Sequence, residues 1–353
     1  MLLHHDYEAS VSRRPEKAAL ICGADRNTYA DVNRHANAIA AALRAAGVQR
    51  GDRVALFLDN GIEFVAGVYG ALNIGAAFMP INPLTQDDKL ADARAGALLT
   101  SEALASVWVP ALARVPCVQS MFVSGQVCDP SDTRVSPWPM PDCSGARAFT
   151  APATIDQDLA NIIYTSGSTG FPKGAMVTHL NMVSAVRSVS IYLGLRDSDV
   201  VMCALPLAFD YGLYQVLMGF RSGATIVLDR NFSFPVKALE NMAACRVTVF
   251  PDVPTMFAML MAVKDLVRVD LSGLRLIKNT SAALSEAHIR ELRVLFPQVT
   301  LFSMYGLTEC KRVTYLPPEQ LDIRPTSVGR HMPNEEVWLV DDAGGPTAER
   351  VDR

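Results

Sequence analysis

The sequence predicts an α/β protein: two packed sheet-and-helix subdomains in αβαβα layers, followed by the beginning of a small β-barrel-like subdomain. Three observations carry this. Apolar runs of strand length alternate with segments of helical periodicity along most of the 353 residues. Such strand-helix-strand repetition favours largely parallel sheets covered on both faces. The strand candidates also outnumber what one compact sheet ordinarily holds, so two sheets are expected, with ligands at strand carboxyl ends.

The elements follow in order. Thr28 opens a capping box with Asp31, and Val32, Ala36, Ile39, Ala40 and Leu43 recur at helical spacing until Gly47 offers a stop. "RVALFL" (53–58) reads as a strand, Ile62 to Ile74 as a helix, and "AAFMPI" (76–81) as a second buried strand. Residues 124–158, rich in Pro, Ser and Asp, read as an irregular surface loop. The alternation then resumes with strands at Leu159–Tyr164, Val200–Leu205, Ala224–Leu228, Val247–Phe250, Leu274–Asn279 and Val299–Met304. Helices fall between them at Asn181–Leu193, Leu213–Phe220 and Ser285–Phe296. One subdomain is placed at about 53–190, a second at about 10–52 with 191–320, and the β-rich start at about 325–353.

Composition narrows the partners. Half of the chain is hydrophobic, 19% is charged, and the net charge is −4 with no block of like charges. That excludes a nucleic-acid footprint or a polybasic membrane patch and points to a small-molecule partner. Seven cysteines, odd in number and without C-x-x-C spacing, argue against a disulfide framework or a zinc site and suit a reducing cytoplasm. No apolar stretch has the length of a signal peptide or a membrane span, so the expected location is cytoplasmic.

The densest run of Ser, Thr and Gly is "NIIYTSGSTGFPKGAMVTH" (161–179). It follows an apolar strand and precedes a helical segment, the position at which open α/β sheets place a ligand. Gly167, Gly170 and Gly174 let backbone N–H groups approach an anion, while Ser166, Ser168 and Thr169 add hydroxyl donors and Lys173 adds charge. Walker A fails twice here, since Pro172 stands where it needs Gly and Gly174 where it needs a hydroxyl. The dinucleotide fingerprint lacks its first glycine pair. A surface loop merely rich in small residues is the competing interpretation.

"YTSGSTGFPKG" resembles the phosphate loop of the AMP-forming adenylating enzymes: the acyl-CoA synthetases, firefly luciferase and the adenylation domains of nonribosomal peptide synthetases. Further stretches agree in order. "ALNIGAAFMPINP" (71–83), "LPLAFDYGL" (205–213), "NTSAALS" (279–285) and "SMYGLTEC" (303–310) are similar to the family's early, acid-pocket, adenine and Y-G-x-T-E segments. The resemblance spans about Tyr29 to Val340 and implies an AMP-forming acid–thiol ligase. Such an enzyme activates a carboxylate with ATP and Mg²⁺ to an acyl-adenylate, then passes the acyl group to coenzyme A or phosphopantetheine.

Carried over by position, the resemblance assigns Thr165, Ser166, Gly167, Ser168, Thr169, Gly170 and Lys173 to the β- and γ-phosphates. It assigns Thr308 to the α-phosphate and Glu309 to Mg²⁺, and it makes Lys173, Thr308 and Glu309 the catalytic set. Ser281, Ala282, Tyr305 and Gly306 complete the ATP-binding set. Phe209, Asp210, Tyr211, Val253 and Tyr305 are its candidates for the acid pocket. On "YGLTE" alone, a strand-end turn capped by Thr or Glu competes with this reading.

Three departures from the family pattern matter. Phe209 stands where many acyl-CoA synthetases have His, which weakens a simple fatty-acid assignment. "Phe209-Asp210" resembles the F-D of amino-acid-activating members, where the carboxylate pairs with the substrate ammonium, so an amino or β-amino acid loaded on an acyl or peptidyl carrier protein is an alternative. Asp210 as a helix N-cap is the competing role. His179, within "Thr178-His179-Leu180-Asn181", matches the family's T-H-x-N and is expected to order the loop or cap a helix. At the end, "VWLVDDAGGPTAERVDR" departs from the family's Gly-Glu-Leu. The small C-terminal domain and its catalytic lysine have no counterpart here, so the chain alone is expected to adenylate weakly or not at all. Two other readings stand beside this: a non-catalytic or split ATP- and acid-binding module, and a P-loop ATPase or kinase that would release ADP.

Overall fold

The computed structural model describes residues 1–83, 88–112, 114–126, 132–141, 153–165, 172–229, 234–263 and 269–350. It is a mixed α/β structure that divides into two compact units, Met1–Val183 with Pro206–Val216, and Ser184–Leu205 with Leu217–Arg353.

In the first unit, helix α1 (Leu3–Arg13) leads into an antiparallel hairpin of β1 (Ala18–Cys22) and β2 (Asp25–Thr28). None of these three elements is expected from the sequence reading. Leu3, Tyr7 and Ser10 of α1 are buried, and the Tyr7 ring stacks on Tyr69 with centroids 4.1 Å apart. Helix α2 (Tyr29–Ala45) begins at the expected capping box. Thr28 Oγ1 accepts from Asp31 N–H at 3.1 Å, and Thr28 N–H donates to Asp31 Oδ2 at 2.8 Å. Its buried face contains Val32, Ala36, Ile39, Ala40 and Leu43, and Gly47 beyond its end takes φ +86°.

Strand β3 (Arg53–Phe57), helix α3 (Ile62–Asn73) and strand β4 (Ala77–Pro80) match the expected alternation. Then come α4 (Asp88–Asp92), β5 (Ala97–Ser101), α5 (Ala105–Leu112), β6 (Ser120–Ser124), β7 (Val135–Pro137), β8 (Leu159–Thr165) and β9 (Lys173–Thr178). The sheet order is β7-β6-β5-β3-β4-β8-β9, parallel throughout except for β9, which is antiparallel to β8. Strand β7 lies inside the stretch expected to be irregular. The chain starts this sheet at β3 in the middle and fills both sides, which creates a topological switch point at the strand carboxyl ends. Met79, Trp108, Met121, Ile162 and Tyr164 belong to one buried cluster of this unit.

Helix α6 (His179–Leu193) leads into the second unit. Its strands are β10 (Val200–Cys203), β11 (Thr225–Leu228), β12 (Val249–Asp252), β13 (Leu276–Asn279), β14 (Thr300–Tyr305), β15 (Thr314–Leu316) and β16 (Arg330–His331). They run in the order β16-β15-β14-β13-β12-β10-β11. Strands β10 to β14 are parallel, while β15 and β16 are antiparallel to their neighbours. Helices α7 (Asp210–Ser222), α8 (Pro235–Ala244), α9 (Pro254–Met261) and α10 (Glu286–Leu295) connect them.

An ion pair fixes the amino-terminal ends of three of these strands. Arg275 donates from Nε to Asp199 Oδ1 at 2.8 Å and from Nη2 to Oδ2 at 2.5 Å, and Thr248 Oγ1 adds a bond at 2.9 Å. Burial pushes the Asp199 carboxyl up. Its bonds to Arg275, the Arg196 N–H and the Thr248 hydroxyl reverse that and leave it below the usual carboxylate range.

Beyond β16, the expected β-rich start is a two-stranded antiparallel hairpin of β17 (Trp338–Val340) and β18 (Pro346–Arg350), with no closed barrel among the described residues. Five cysteines fall among the described residues and all are free thiols. No helix among those residues is long and apolar enough to cross a membrane.

Candidate nucleotide and acid site

In the first unit the Gly-rich stretch connects two strands rather than a strand and a helix. Thr165 and Lys173 are cross-strand partners at the end of the β8–β9 hairpin, and Thr165 Oγ1 reaches Lys173 O at 3.5 Å. Ser166, Gly167, Ser168, Thr169 and Gly170 lie outside the described residues. Lys173 is exposed at the first position of β9, and its ammonium makes no hydrogen bond or ion pair among the described residues. Gly174, expected to free backbone for an anion, answers to packing as well: a Cβ there would sit 2.9 Å from Ile162 Cγ2 and 3.2 Å from Tyr164 Cζ. Tyr164 donates its hydroxyl to Asp92, which steadies the last turn of strand before the loop.

His179 opens α6 and is fully buried. Its Nδ1 accepts from Leu3 N–H at 3.2 Å, so the segment after the loop is tied to α1. Thr178 and Asn181 exchange capping bonds, with Thr178 N–H donating to Asn181 Oδ1 at 3.1 Å and Asn181 N–H to Thr178 Oγ1 at 3.3 Å.

The Phe209–Tyr211 segment also belongs to the first unit. Asn60, just past the carboxyl end of β3, accepts from Leu207 N–H at 2.8 Å and holds the segment at the carboxyl edge of the sheet. Phe209 is 45% exposed and Tyr211 is buried. Asp210 is the first residue of α7 rather than the residue before it. Its carboxylate therefore stands in the first helical turn, where the helix dipole favours negative charge.

In the second unit the parallel register gathers the remaining residues on one edge. Asp252 pairs with Asn279, and Asn279 with Ser303, across β12, β13 and β14. Val253, Ser281, Ala282, Tyr305 and Gly306 follow directly from those carboxyl ends. Ser281 takes φ +74°, a left-handed conformation rare outside glycine. Asn279 Nδ2 donates to Ala282 O at 2.9 Å and closes the turn around it.

Tyr305 is 43% exposed. After it the chain folds back tightly: Val313 N–H donates to Tyr305 O at 2.9 Å and Lys311 Nζ to Thr308 O at 2.5 Å. Gly306 is required there, because a Cβ would fall 2.1 Å from Lys311 O. Glu309 is exposed and makes no hydrogen bond or ion pair among the described residues, so its carboxylate fits a hard cation such as Mg²⁺.

Sequence reasoning missed a polar group beneath this edge. Asp252 and Thr280 are buried, and Asp252 Oδ2 and Thr280 Oγ1 have no hydrogen-bond partner among the described residues. Burial pushes the Asp252 carboxyl well above its usual range, while the Val253 N–H bond pulls the other way. Lys278, also buried, is brought down to about 7, first by burial and then by the charge of Arg312. The available signal was a charged residue at or near the end of otherwise apolar strands, in "VFPD" and "LIKN".

The profile of AMP-binding enzymes matches residues 7–351. The chain belongs to the AMP-binding enzyme family. A relative within reach is tyrocidine synthase 2 of Brevibacillus parabrevis, 31% identical over 347 residues, covering 95% of this chain. The chain spans 9% of that synthase's length. Among solved structures, an anthranilate CoA ligase, AuaEII, in complex with anthranoyl-AMP is 27% identical with a TM-score of 0.89, covering 98% of this chain and 67% of that one. VinN in complex with L-aspartate is 31% identical with a TM-score of 0.81, covering 99% of this chain and 86% of that one. The fold is thus similar to those of proteins solved with anthranoyl-AMP and with L-aspartate.

Proposed function

We propose that the chain serves an AMP-forming acid–thiol ligase. A carboxylate oxygen of a small acid attacks the α-phosphorus of ATP, the bond to the bridging oxygen breaks, and pyrophosphate leaves with the electron pair. A thiol of coenzyme A or of a carrier protein's phosphopantetheine then attacks the acyl carbon, and AMP departs. What supports this reading is the β8–β9 hairpin: the sequence joining its strands has five consecutive small or hydroxyl residues and leads to Lys173, whose exposed ammonium has no partner among the described residues.

In this reading Thr165, the loop residues Ser166 to Gly170 and Lys173 bind the β- and γ-phosphates, with Lys173 as a point charge. Thr308 contacts the α-phosphate, and Ser281, Ala282, Tyr305 and Gly306 contact the adenosine. Glu309 holds Mg²⁺, which when bound offsets negative charge on the phosphates.

Asp210 favours an amino or β-amino acid. Its carboxylate is half-buried at the start of α7, where an ammonium group finds a charge-assisted partner. VinN, solved with L-aspartate, lends that class weight.

Pyrophosphate exchange over a panel of carboxylic and amino acids, with AMP and ADP resolved, tests the reaction. Acid-dependent exchange is expected, weak for this chain by itself, with AMP formed when the adenylate is passed to the thiol; ADP as the product would make it a phosphoryl-transfer enzyme. For Asp210→Ala, affinity for an aminoacyl-adenylate analogue should fall by about tenfold or more, in line with a lost charged hydrogen bond. Unchanged affinity would leave Asp210 only its favourable place in the first turn of α7.

A further inference from the structure

The amino-terminal helix carries a group of donors that adenylation does not use. His4, His5 and Glu8 each offer one ligand atom, and the three atoms lie within 4.8 Å of one another. His4 and Glu8 are one turn apart on α1 and share a face. His5 turns back to the helix start, where its Nδ1 accepts from Leu2 N–H at a long 3.3 Å.

Two features set this group apart from ordinary helix-surface residues. His4 is only 3% exposed, yet its Nδ1 has no hydrogen-bond partner among the described residues, an uncommon condition for a buried polar atom. His4 and Glu8 also line a polar cavity of about 250 Å³ together with Ser12, Asn33, Asn37 and Asn73. All of these residues belong to the first unit.

From this juxtaposition we propose that His4, His5 and Glu8 bind a zinc-class divalent transition-metal ion. Two imidazoles and one carboxylate form a borderline donor set of the kind such ions take, and unlike one that selects Mg²⁺ or Ca²⁺. Donors around a tetrahedral zinc stand about 3.4 Å apart, given bonds of about 2.1 Å. Side-chain rotation of the exposed His5 and Glu8 supplies the closure needed around a fixed His4. Three protein ligands leave one position open to the cavity, whose asparagine and serine groups hydrogen-bond a water or small anion there. The bound ion would fasten α1 at its start. This site is independent of the nucleotide chemistry.

The test is equilibrium dialysis of the full chain, free of any polyhistidine tag, against Zn²⁺, with Co²⁺ absorption as a second readout. One ion per chain is expected, and the Co²⁺ spectrum should show nitrogen and oxygen ligation without thiolate charge transfer, which separates the site from the free cysteines. Glu8→Gln changes an exposed side chain, so its metal-free form should melt with the wild type, while His5→Ala also loses the bond from Leu2 N–H and should melt slightly lower. Each should bind Zn²⁺ at least about tenfold more weakly. Absence of stoichiometric binding, a thiolate band, or wild-type affinity in both variants would overturn the site.

Discussion

At Asp199 a single carboxylate meets three donors from two other segments and its own loop, and its 2% exposed side chain keeps water from taking their place. Asp199→Asn removes the charge and leaves Arg275 without its bidentate partner. Loss of about 2–3 kcal/mol in urea unfolding is expected, short of a fully buried pair because Arg275 is 30% exposed. The same carboxylate sets an acid limit. Its folded pKa lies below the unfolded value near 4, so its contribution is complete above pH 4 and disappears as pH falls through the folded pKa. The stability gap between wild type and Asp199→Asn should therefore narrow only in strong acid; a gap that is constant down to pH 2 would contradict it. Gly306 makes a different residue-scale demand. Its absent Cβ leaves room for the backbone oxygen of Lys311, which no side-chain rotation relieves. Gly306→Ala should cost about 2–3 kcal/mol, measured by denaturant titration, and weaken ATP binding by displacing the turn that carries Thr308 and Glu309.

Helix packing shows where local preference yields to tertiary fit. In the interior of α3, alanine is favoured over glycine by about 1 kcal/mol. At Gly70, however, a Cβ would fall 2.7 Å from Ile39 Cγ2 and 2.9 Å from the Ala36 carbonyl on α2. Backbone on both helices would have to separate, so Gly70→Ala should destabilise by about 1–2 kcal/mol net in a denaturation experiment. A gain in stability would mean that α2 and α3 part without cost. These elements also show what was legible beforehand. Helix α2 was read in full because a cap, a periodic apolar face and a glycine stop agree. Strands β3, β4 and β10 to β14 were legible because burial on both faces makes them continuous apolar runs. Strand β9 was missed: "KGAMVT" has little apolar periodicity, its Met176 is 75% exposed, and its existence depends on pairing with β8 across the loop. Helix α1 was missed because only Leu3 and Tyr7 mark its apolar face in a polar stretch. The candidate site divides the same way. Its phosphate-loop and Y-G-x-T-E residues form contiguous motifs, whereas Asn60 beside Leu207, and Asp252 level with Asn279, are brought together by topology that no local pattern encodes.

Across the whole molecule, ligand binding and stability are linked, which turns the proposed phosphate role of Lys173 into a calorimetric quantity. A ligand that binds only the folded chain stabilises it by about 2.7 kcal/mol at one hundred times its dissociation constant. The chain comprises two contact units, so the shift is read from the full heat-capacity trace rather than from one spectroscopic midpoint. Lys173 is exposed and unengaged among the described residues, so Lys173→Met should leave ligand-free stability within about 0.5 kcal/mol. A charge-assisted contact to phosphate is worth about 1.5–3 kcal/mol, or roughly a tenfold to hundredfold change in affinity. At the same ATP and Mg²⁺ concentrations the variant should retain about 1–1.5 kcal/mol of ligand stabilisation at the weak end of that range and almost none at the strong end. Because the ligand-free melts coincide, the lost increment reports the phosphate contact itself rather than damage to the fold. Equal ATP-induced shifts in the two proteins would remove Lys173 from the phosphate site and leave the β8–β9 loop without its proposed charge.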